Sequence, residues 1–238
     1  MIVTIIYSIY FVLNLLAFSI FLIAVYPFFM IFRAKDGWEK LLTKTASLWA
    51  RLVVYGTGSS VEVVGLEKIP ERNVLFVSNH QSYFDIPVVL GFLRRLIGFM
   101  AKIELKKIPV LSFWIKKIHC VFIDRKKLRE AGRFIDEGVK NLQSGFNMLI
   151  FPEGTRSKSS KMKNFKPGSF RLAFESGVPI VPLTINHSYK IFEEKGRISR
   201  AKVKIIVHDP VYPESFSSDE KVKIAREIEA RIKNCIEE

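Results

Sequence analysis

The segment NVLFVSNHQSYFD, residues 73–85, joins a short apolar run to a polar one. Within it, VLFV shows no alternation of polar and apolar residues, which is typical of a strand buried on both faces of a mostly parallel sheet. A second run of this kind, MLIF, ends at Phe151. Because both faces of such strands must be covered by helices, these runs predict an α/β fold with a mostly parallel sheet covered by helices.

Strands and helices are predicted to alternate through the rest of the chain. The β-rich runs that predict strands are 60–65, 73–78, 97–102, 119–124, 146–151, 181–185 and 203–208. Helical spacing of apolar residues, with Gly145 and Gly177 as stops, predicts helices at 125–144, 167–176 and 219–238. We find no internal repeat, so residues 57–238 are expected to form one α/β domain.

The first 32 residues carry no charge, and Arg33 is the first charged side chain. A bilayer core of about 30 Å needs roughly 20 apolar residues in a helix, so this segment is long enough to cross it. It lacks the basic start and the small-residue cleavage site of a secretory signal. Residues 1–56 are therefore expected to form an N-terminal membrane-binding helical unit.

How this unit meets the membrane is left open by the sequence. Pro27 is predicted to end or kink the first helix. The following segment, 36–54, has an apolar face with Trp38 and Trp49 and a basic face opposite. Such a helix can lie in the membrane interface or pack on the main domain. One span plus an interfacial helix and a hairpin in one leaflet are both possible, and the basic residues from Arg33 onward predict a cytoplasmic main domain in either arrangement.

The charge balance points to an acidic partner. The chain has 37 Lys and Arg against 23 Asp and Glu, a net charge of +14. Anionic lipid, a phosphorylated substrate and nucleic acid would all suit this excess, and the apolar N-terminus argues against nucleic acid. Cys120 and Cys235 lie far apart, which predicts reduced thiols and no metal site. Neither a metal nor an organic cofactor is expected.

His80 and Asp85 stand five positions apart, directly after the strand 73–78. A neutral imidazole can take a proton from a hydroxyl near neutral pH, and a carboxylate on its other nitrogen would fix the tautomer. Asp85 could instead merely cap the helix that follows. The spacing alone favours the capping interpretation.

A second polar cluster, FPEGTRS at 151–157, follows the strand 146–151. Ligands of open α/β sheets bind beyond the carboxyl ends of the strands, so both clusters are expected to face one cleft. Gly154 permits close backbone approach, Thr155 offers a hydroxyl, and the Arg156 guanidinium suits phosphate oxygens. Other basic residues could join a phosphate site or, for the lysines, form a solvated loop: Arg125, Lys161, Lys163 and Lys166.

Four segments in order resemble the motif blocks of the glycerolipid acyltransferases: NHQSYFD, VFIDR, FPEGTRS with FKPGSF, and VPIVPLTI. The NHQS start and the FPEGTRS form are most similar to the 1-acyl-sn-glycerol-3-phosphate acyltransferases. These enzymes make phosphatidic acid from lysophosphatidic acid and an activated acyl donor. The resemblance therefore implies lysophosphatidic acid, acyl-CoA or acyl-carrier protein and an anionic membrane surface as partners, without nucleic acid.

The resemblance also implies roles for single residues. His80 matches the general base and Asp85 its orienting partner. Four further positions match those that bind glycerol phosphate: Arg125, Glu153, Gly154 and Arg156. The apolar fourth block would shape the acyl or core environment, and Ser82 would not act as a nucleophile. A different acceptor, such as glycerol 3-phosphate, and a lipid-binding protein without catalysis are the alternatives.

Overall fold

The computed structural model describes residues 2–124, 131–213 and 218–237. Its strands are β1 (Ser60–Val64), β2 (Leu75–Ser78), β3 (Ile97–Lys102), β4 (Val121–Ile123), β5 (Asn147–Ile150), β6 (Ile180–Asn186) and β7 (Lys202–Val207). They form one sheet in the order β1-β7-β6-β2-β5-β3-β4. All neighbouring pairs are parallel except β6 and β7. The predicted α/β fold with a mostly parallel sheet is confirmed, and each predicted strand is present to within two residues at either end.

The helices cover both faces of the sheet. They are α1 (Ile2–Ile31), α2 (Lys35–Tyr55), α3 (Asp85–Phe92), α4 (Pro109–Lys117), α5 (Ala131–Gln143), α6 (Arg171–Ser176) and α7 (Ser218–Lys233). Successive side chains of a strand point to opposite faces. Phe76 of β2 accordingly packs in the core under α2 and α3, whereas Leu75 and Val77 pack in the core under α5, α6 and α7. This double burial explains why VLFV contains only apolar residues.

Three helix predictions differ in extent from the structure. The helix predicted at 125–144 is described from Ala131, and residues 125–130 lie outside the described residues. The segment 167–176 begins as a 3-10 turn and becomes α6, which ends at the left-handed Gly177 (φ 71°). The helix predicted at 219–238 ends at Lys233. The short helix α4 was not predicted from the sequence.

The N-terminal helices form a hairpin on the domain. Pro27 was predicted to end or kink the first helix; it does not end it, because α1 continues to Ile31, and a kink stays a prediction. A proline inside a helix removes one backbone hydrogen bond and crowds the preceding turn, which can bend a helix without ending it. At the other end of α1, the Tyr7 and Tyr10 hydroxyls donate to carbonyls of α2 at 2.8 and 2.9 Å. In the described chain, α1 alone is long and apolar enough to cross a membrane, and most of its apolar side chains are exposed.

The helix α2 uses its apolar face for packing. Trp38, Leu42 and Val53 are buried against α1 and the core, as in one of the two predicted alternatives. Its polar face also contacts the domain, since Ser47 Oγ and Arg51 Nε donate to the Gly91 carbonyl at the end of α3. Hence both faces of α2 contact the rest of the protein. The division of the chain after residue 56 stays a prediction.

Candidate active site

The two polar clusters predicted from the sequence meet at the carboxyl ends of β2 and β5. The backbone N–H of His80 donates to Glu153 Oε1 at 2.6 Å, and the His80 carbonyl accepts from the Ser157 N–H at 2.7 Å. The side-chain amide of Asn79 pairs with both backbone groups of Ile185 in β6, at 2.8 Å each. Three neighbouring strands therefore fix the position of His80 through its own backbone and that of the preceding residue.

His80 and Asp85 form a hydrogen-bonded pair. His80 Nδ1 lies 2.7 Å from Asp85 Oδ2, and the Asp85 side chain is 0% exposed. An ionised carboxylate only accepts hydrogen bonds, so Nδ1 carries the hydrogen and Nε2 of the neutral ring keeps its lone pair. Among the described residues none hydrogen bonds Nε2. The ring stacks on Phe151 with 4.0 Å between centroids. The imidazole is thus held on one side and open to a ligand on the other.

The remaining hydrogen bonds of Asp85 come from the two residues after His80 and from Ser188, which follows β6. Oδ2 accepts from the N–H groups of Gln81 and Ser82 at 2.7 and 2.9 Å, and Oδ1 accepts from Ser188 Oγ. Asp85 is the first residue of α3, and the cap residue Phe84 makes no side-chain capping bond. The interpretation of Asp85 as a helix cap is therefore wrong: its carboxylate closes the turn that carries His80. We call residues 80–85 the dyad turn.

Glu153 joins the two clusters from inside the protein. Its side chain is buried, and its two oxygens accept from the backbone N–H groups of His80 and Lys163 at 2.6 and 2.9 Å. Burial raises the pKa of this carboxyl, and the two N–H donors oppose that rise without cancelling it. The predicted contact between Glu153 and glycerol phosphate stays a prediction. The observed contacts give this residue a part in holding the dyad turn.

Arg156 lies beside the dyad turn. Its Nη1 donates to Glu193 Oε1 at 2.8 Å, and its guanidinium carbon lies 3.3 Å from the centroid of the Tyr83 ring. The Arg156 side chain is 19% exposed and that of Glu193 only 3%. Stacking on an aromatic ring and a charge-assisted hydrogen bond together orient a guanidinium that can still present other N–H donors.

The other predicted phosphate-binding residues lie in the same loop, with one exception. The Lys166 side chain packs directly on Gly154. A Cβ added at Gly154 would lie only 2.9 Å from Lys166 Nζ. Thr155 is exposed at the surface of this loop. Arg125 lies outside the described residues. Arg156, Thr155 and Lys166 therefore share one loop beside the dyad turn.

Replacing Gly154 by alanine is expected to destabilise the protein by about 1–2 kcal/mol, the usual cost of a left-handed residue with a Cβ. Gly154 has φ 71°, and the new methyl group would also displace Lys166. Chemical denaturation measures this change. Gly132→Ala is the matched control, because Gly132 lies in α5 with no neighbour within 4 Å of its added Cβ. Equal stability of Gly154→Ala and the unchanged protein would contradict the strain argument.

Two residues that contact the dyad turn were missed by the sequence analysis. Ser188 and Glu193 follow β6, more than 100 positions from their partners in the dyad turn. One signal could have found them. Since β6 runs parallel to β2 and next to it, polar residues that follow β6 emerge at the same edge of the sheet as His80. The sequence alone does not show that β6 lies next to β2, so this signal can be used only once the order of the strands is known.

An apolar cavity of about 390 Å³ opens next to the dyad turn. It lies between the N-terminal hairpin and helices α3 and α4, and its walls include Phe11, Trp49, Leu90 and Ile115. Tyr83 and Phe84 of the dyad turn also line it. Cavities of this size and polarity hold apolar parts of small ligands. We call it the apolar cavity.

The fold and this site define the class of the acyltransferases. A sequence model of the acyltransferase family matches residues 60–186, which is more than half of the chain. The chain belongs to this family, in the group of the 1-acyl-sn-glycerol-3-phosphate acyltransferases. Its relatives include the probable 1-acyl-sn-glycerol-3-phosphate acyltransferase of Mycoplasma pneumoniae, which is 33% identical over 74% of this chain and 71% of the relative.

Two further comparisons support the same group. The 1-acyl-sn-glycerol-3-phosphate acyltransferase of Saccharomyces cerevisiae is 28% identical over 82% of this chain and 65% of its own length. The crystal structure of the 1-acyl-sn-glycerophosphate acyltransferase PlsC from Thermotoga maritima superposes with a TM-score of 0.77. It is 32% identical in sequence, and the match covers 97% of this chain and 96% of that chain. The similarity therefore includes the N-terminal hairpin as well as the sheet.

Proposed function

We propose that this protein transfers a fatty acyl group from acyl-CoA or acyl-carrier protein to the sn-2 hydroxyl of 1-acyl-sn-glycerol 3-phosphate, which gives phosphatidic acid. The observation that carries the proposal is the His80–Asp85 pair, 2.7 Å apart, whose open nitrogen lies at a turn that also lines the apolar cavity. The names of the relatives support the same reaction.

In the proposed reaction, His80 Nε2 accepts the proton of the sn-2 hydroxyl while its oxygen attacks the thioester carbonyl. Asp85 stabilises the imidazolium that forms, as a carboxylate behind a histidine does. The tetrahedral intermediate then expels the thiolate, which takes the proton from His80. A carbon–oxygen bond has formed and a carbon–sulfur bond has broken, without a cofactor.

A direct transfer fits the position of Ser82. This hydroxyl stands two positions after His80, but its side chain is buried and donates to Glu193 Oε2 at 2.6 Å. It also accepts the N–H of Phe84 at 3.0 Å. A hydroxyl used in this way is not oriented for attack on a thioester. The substrate supplies its own hydroxyl instead.

Arg156 is proposed to bind the phosphate of the acceptor, with Thr155 and Lys166 of the same loop. A guanidinium offers paired N–H donors that match phosphate oxygens. Arg156 lies above Tyr83 of the dyad turn, so a phosphate bound by its guanidinium would lie beside that turn. Arg125 is proposed to join this site on the family resemblance alone.

The apolar cavity is proposed to hold a fatty acyl chain. Ala46→Phe, which adds a ring to the α2 wall, is expected to slow long-chain substrates about tenfold more than short-chain ones, since small volume changes in apolar pockets have effects of this size. Rates measured with donor and acceptor chains varied separately would show which chain is affected. Leu48→Phe is the control, because Leu48 is exposed on the same helix and does not line the cavity. Equal slowing of all chain lengths would contradict the assignment.

Membrane association follows from the exposed apolar surface of α1 and from the lipid-synthesising relatives. We propose that residues 1–56 anchor the chain and that residues 57–238 form the acyltransferase domain on the cytoplasmic face of the cell membrane. Basic residues begin at Arg33 and continue beyond it, as expected for a cytoplasmic segment. The net charge of +14 would favour a surface of anionic lipid.

The test is an assay of the purified, lipid-reconstituted protein with lysophosphatidic acid and each acyl donor in turn. Formation of phosphatidic acid is the expected result, and its absence with both donors would overturn the proposal. Competition with glycerol 3-phosphate and with other lysophospholipids establishes the acceptor. A lipid-binding protein without catalysis would bind anionic vesicles and show no turnover with any of these acceptors.

A further inference from the structure

The segment after β6, residues 187–194, reaches the dyad turn with two side chains that the proposed reaction does not use. Ser188 Oγ donates to Asp85 Oδ1, and Glu193 accepts from two groups of the dyad turn. These two are the Ser82 hydroxyl at 2.6 Å and the Tyr83 N–H at 2.8 Å. One short segment therefore holds the catalytic carboxylate and the outer part of the dyad turn together.

Glu193 also holds the guanidinium of Arg156. Its Oε1 accepts from Arg156 Nη1 and from the Tyr83 N–H, each at 2.8 Å. The Glu193 side chain is 3% exposed, so its charge is removed from water and balanced by these donors. A single carboxylate thus connects the turn that carries the histidine to the arginine proposed for the phosphate.

Ser82 extends this connection to the dyad itself. Its backbone N–H donates to Asp85 Oδ2 at 2.9 Å, and its hydroxyl donates to Glu193 Oε2 at 2.6 Å. The chain of contacts therefore runs from Asp85 through Ser82 to Glu193 and on to Arg156. Asp85, Ser82 and the Glu193 side chain are buried, and buried hydrogen bonds of this kind restrict side-chain motion.

We propose that Glu193 is a positioning residue, which sets the distance between the phosphate-binding guanidinium and the catalytic histidine. This role of Glu193 rests on the proposed function. It gives Glu193 a part in selecting acceptors in which the hydroxyl and the phosphate are spaced as in a glycerol phosphate. Glu193 contacts neither the reacting atoms nor the phosphate, and it acts through Arg156.

Removing the charge of Glu193 has two opposed effects on the acceptor. Loss of a neighbouring negative charge favours phosphate binding, whereas loss of the hydrogen bond frees Arg156 to leave its place over Tyr83. The guanidinium is partly exposed, so solvent weakens the first effect. The charge-assisted hydrogen bond from Arg156 to Glu193 also fixes the orientation of the guanidinium, and water cannot provide that orientation. The loss of orientation is therefore expected to dominate.

The experiment compares Glu193→Gln with Glu194→Gln in the reconstituted protein. Both changes remove one negative charge at neighbouring positions, but Glu194 is exposed. Glu193→Gln is expected to lower kcat/KM for lysophosphatidic acid by about 10- to 100-fold, the usual effect of losing a hydrogen bond to a charged group. Most of this change should be a higher KM for the acceptor, with the KM of the acyl donor unchanged. Glu194→Gln should behave as the unchanged protein.

A double-mutant cycle with Arg156→Ala separates positioning from general damage. If Glu193 acts through Arg156, then Glu193→Gln should add less than about twofold to the acceptor KM once Arg156 is absent. Full additivity would overturn the proposal, as would an acceptor KM that falls or stays unchanged in Glu193→Gln alone. An equal rise in the KM of both substrates would overturn it too.

A second variant covers the case in which Glu193→Gln does not fold. Glu193→Asp keeps the charge but shortens the side chain by one methylene group, so an intermediate rise in acceptor KM is expected. No rise would overturn the proposal.

Failure of the positioning role can be distinguished from failure of the proposed function. An active protein whose Glu193 variants match Glu194→Gln disproves only the positioning role, whereas no turnover by the unchanged protein disproves the reaction.

Discussion

His80→Ala is expected to lower kcat by about 100- to 10,000-fold, the range found when a general base is removed. None of the described residues hydrogen bonds His80 Nε2, and the pair with Asp85 gives this ring the tautomer that accepts a proton. Only 15% of the His80 side chain is exposed, and its backbone bonds to Glu153 and Ser157 do not depend on the ring. Steady-state formation of phosphatidic acid measures the loss, and thermal unfolding should show a folded protein.

His119→Asn is the control for this experiment. His119 has φ 60°, a conformation that asparagine tolerates, and it lies before β4, outside the dyad turn. This variant should keep nearly the full rate. A His80→Ala variant that kept more than about a tenth of the rate would contradict the assignment of the general base.

Asp85→Asn is expected to lower both the rate and the stability. An amide accepts only at its oxygen. With that oxygen in the place of Oδ2, the bonds from His80 Nδ1 and from the N–H groups of Gln81 and Ser82 lose their charge assistance, and the NH₂ group faces the Ser188 hydroxyl that now donates to Oδ1. Because the site is fully buried, the unfolding free energy should fall by about 2–4 kcal/mol. The rate should fall by at least about 100-fold, since the imidazolium that forms in the reaction loses its counter-charge.

Kinetics and chemical denaturation together test this prediction. Ser188→Ala serves for comparison, because it removes a single donor to Asp85 Oδ1 and leaves the pair with His80 in place. Its effect on both measurements should be clearly smaller. An Asp85→Asn variant as active as Ser188→Ala would show that Asp85 is not needed to orient the histidine.

The sheet could be predicted from the sequence because burial on both faces leaves a local signal. Runs such as VLFV and MLIF have no polar residue to place on an exposed face, and the structure buries β2 completely between two cores. Pro27 shows the limit of a local rule. The rule gives the local cost of proline in a helix, but it does not say whether the helix bends or ends there.

The site was predictable where its partners are close in sequence. His80 and Asp85 lie five positions apart, so their pairing needs only a turn. Ser188 and Glu193 reach the same turn from more than 100 positions away, and nothing local marks them. Their role depends on β6 lying next to β2, which is a property of the strand order. The family resemblance implies a contact between Glu153 and the substrate, which stays a prediction, and the structure adds two backbone N–H groups that no local signal joins to this carboxylate.

The wall of the apolar cavity has a consequence for how the enzyme meets its lipids. Phe11, Leu15 and Leu22 of this wall belong to α1, the helix that carries the exposed apolar surface. On the proposed function, α1 both anchors the protein in the membrane and forms part of the wall that contacts the acyl chain. Deleting α1 would therefore remove membrane binding and the cavity wall together. Turnover becomes a joint property of the enzyme and the lipid around α1, so a soluble fragment would be a poor reporter of chain-length preference.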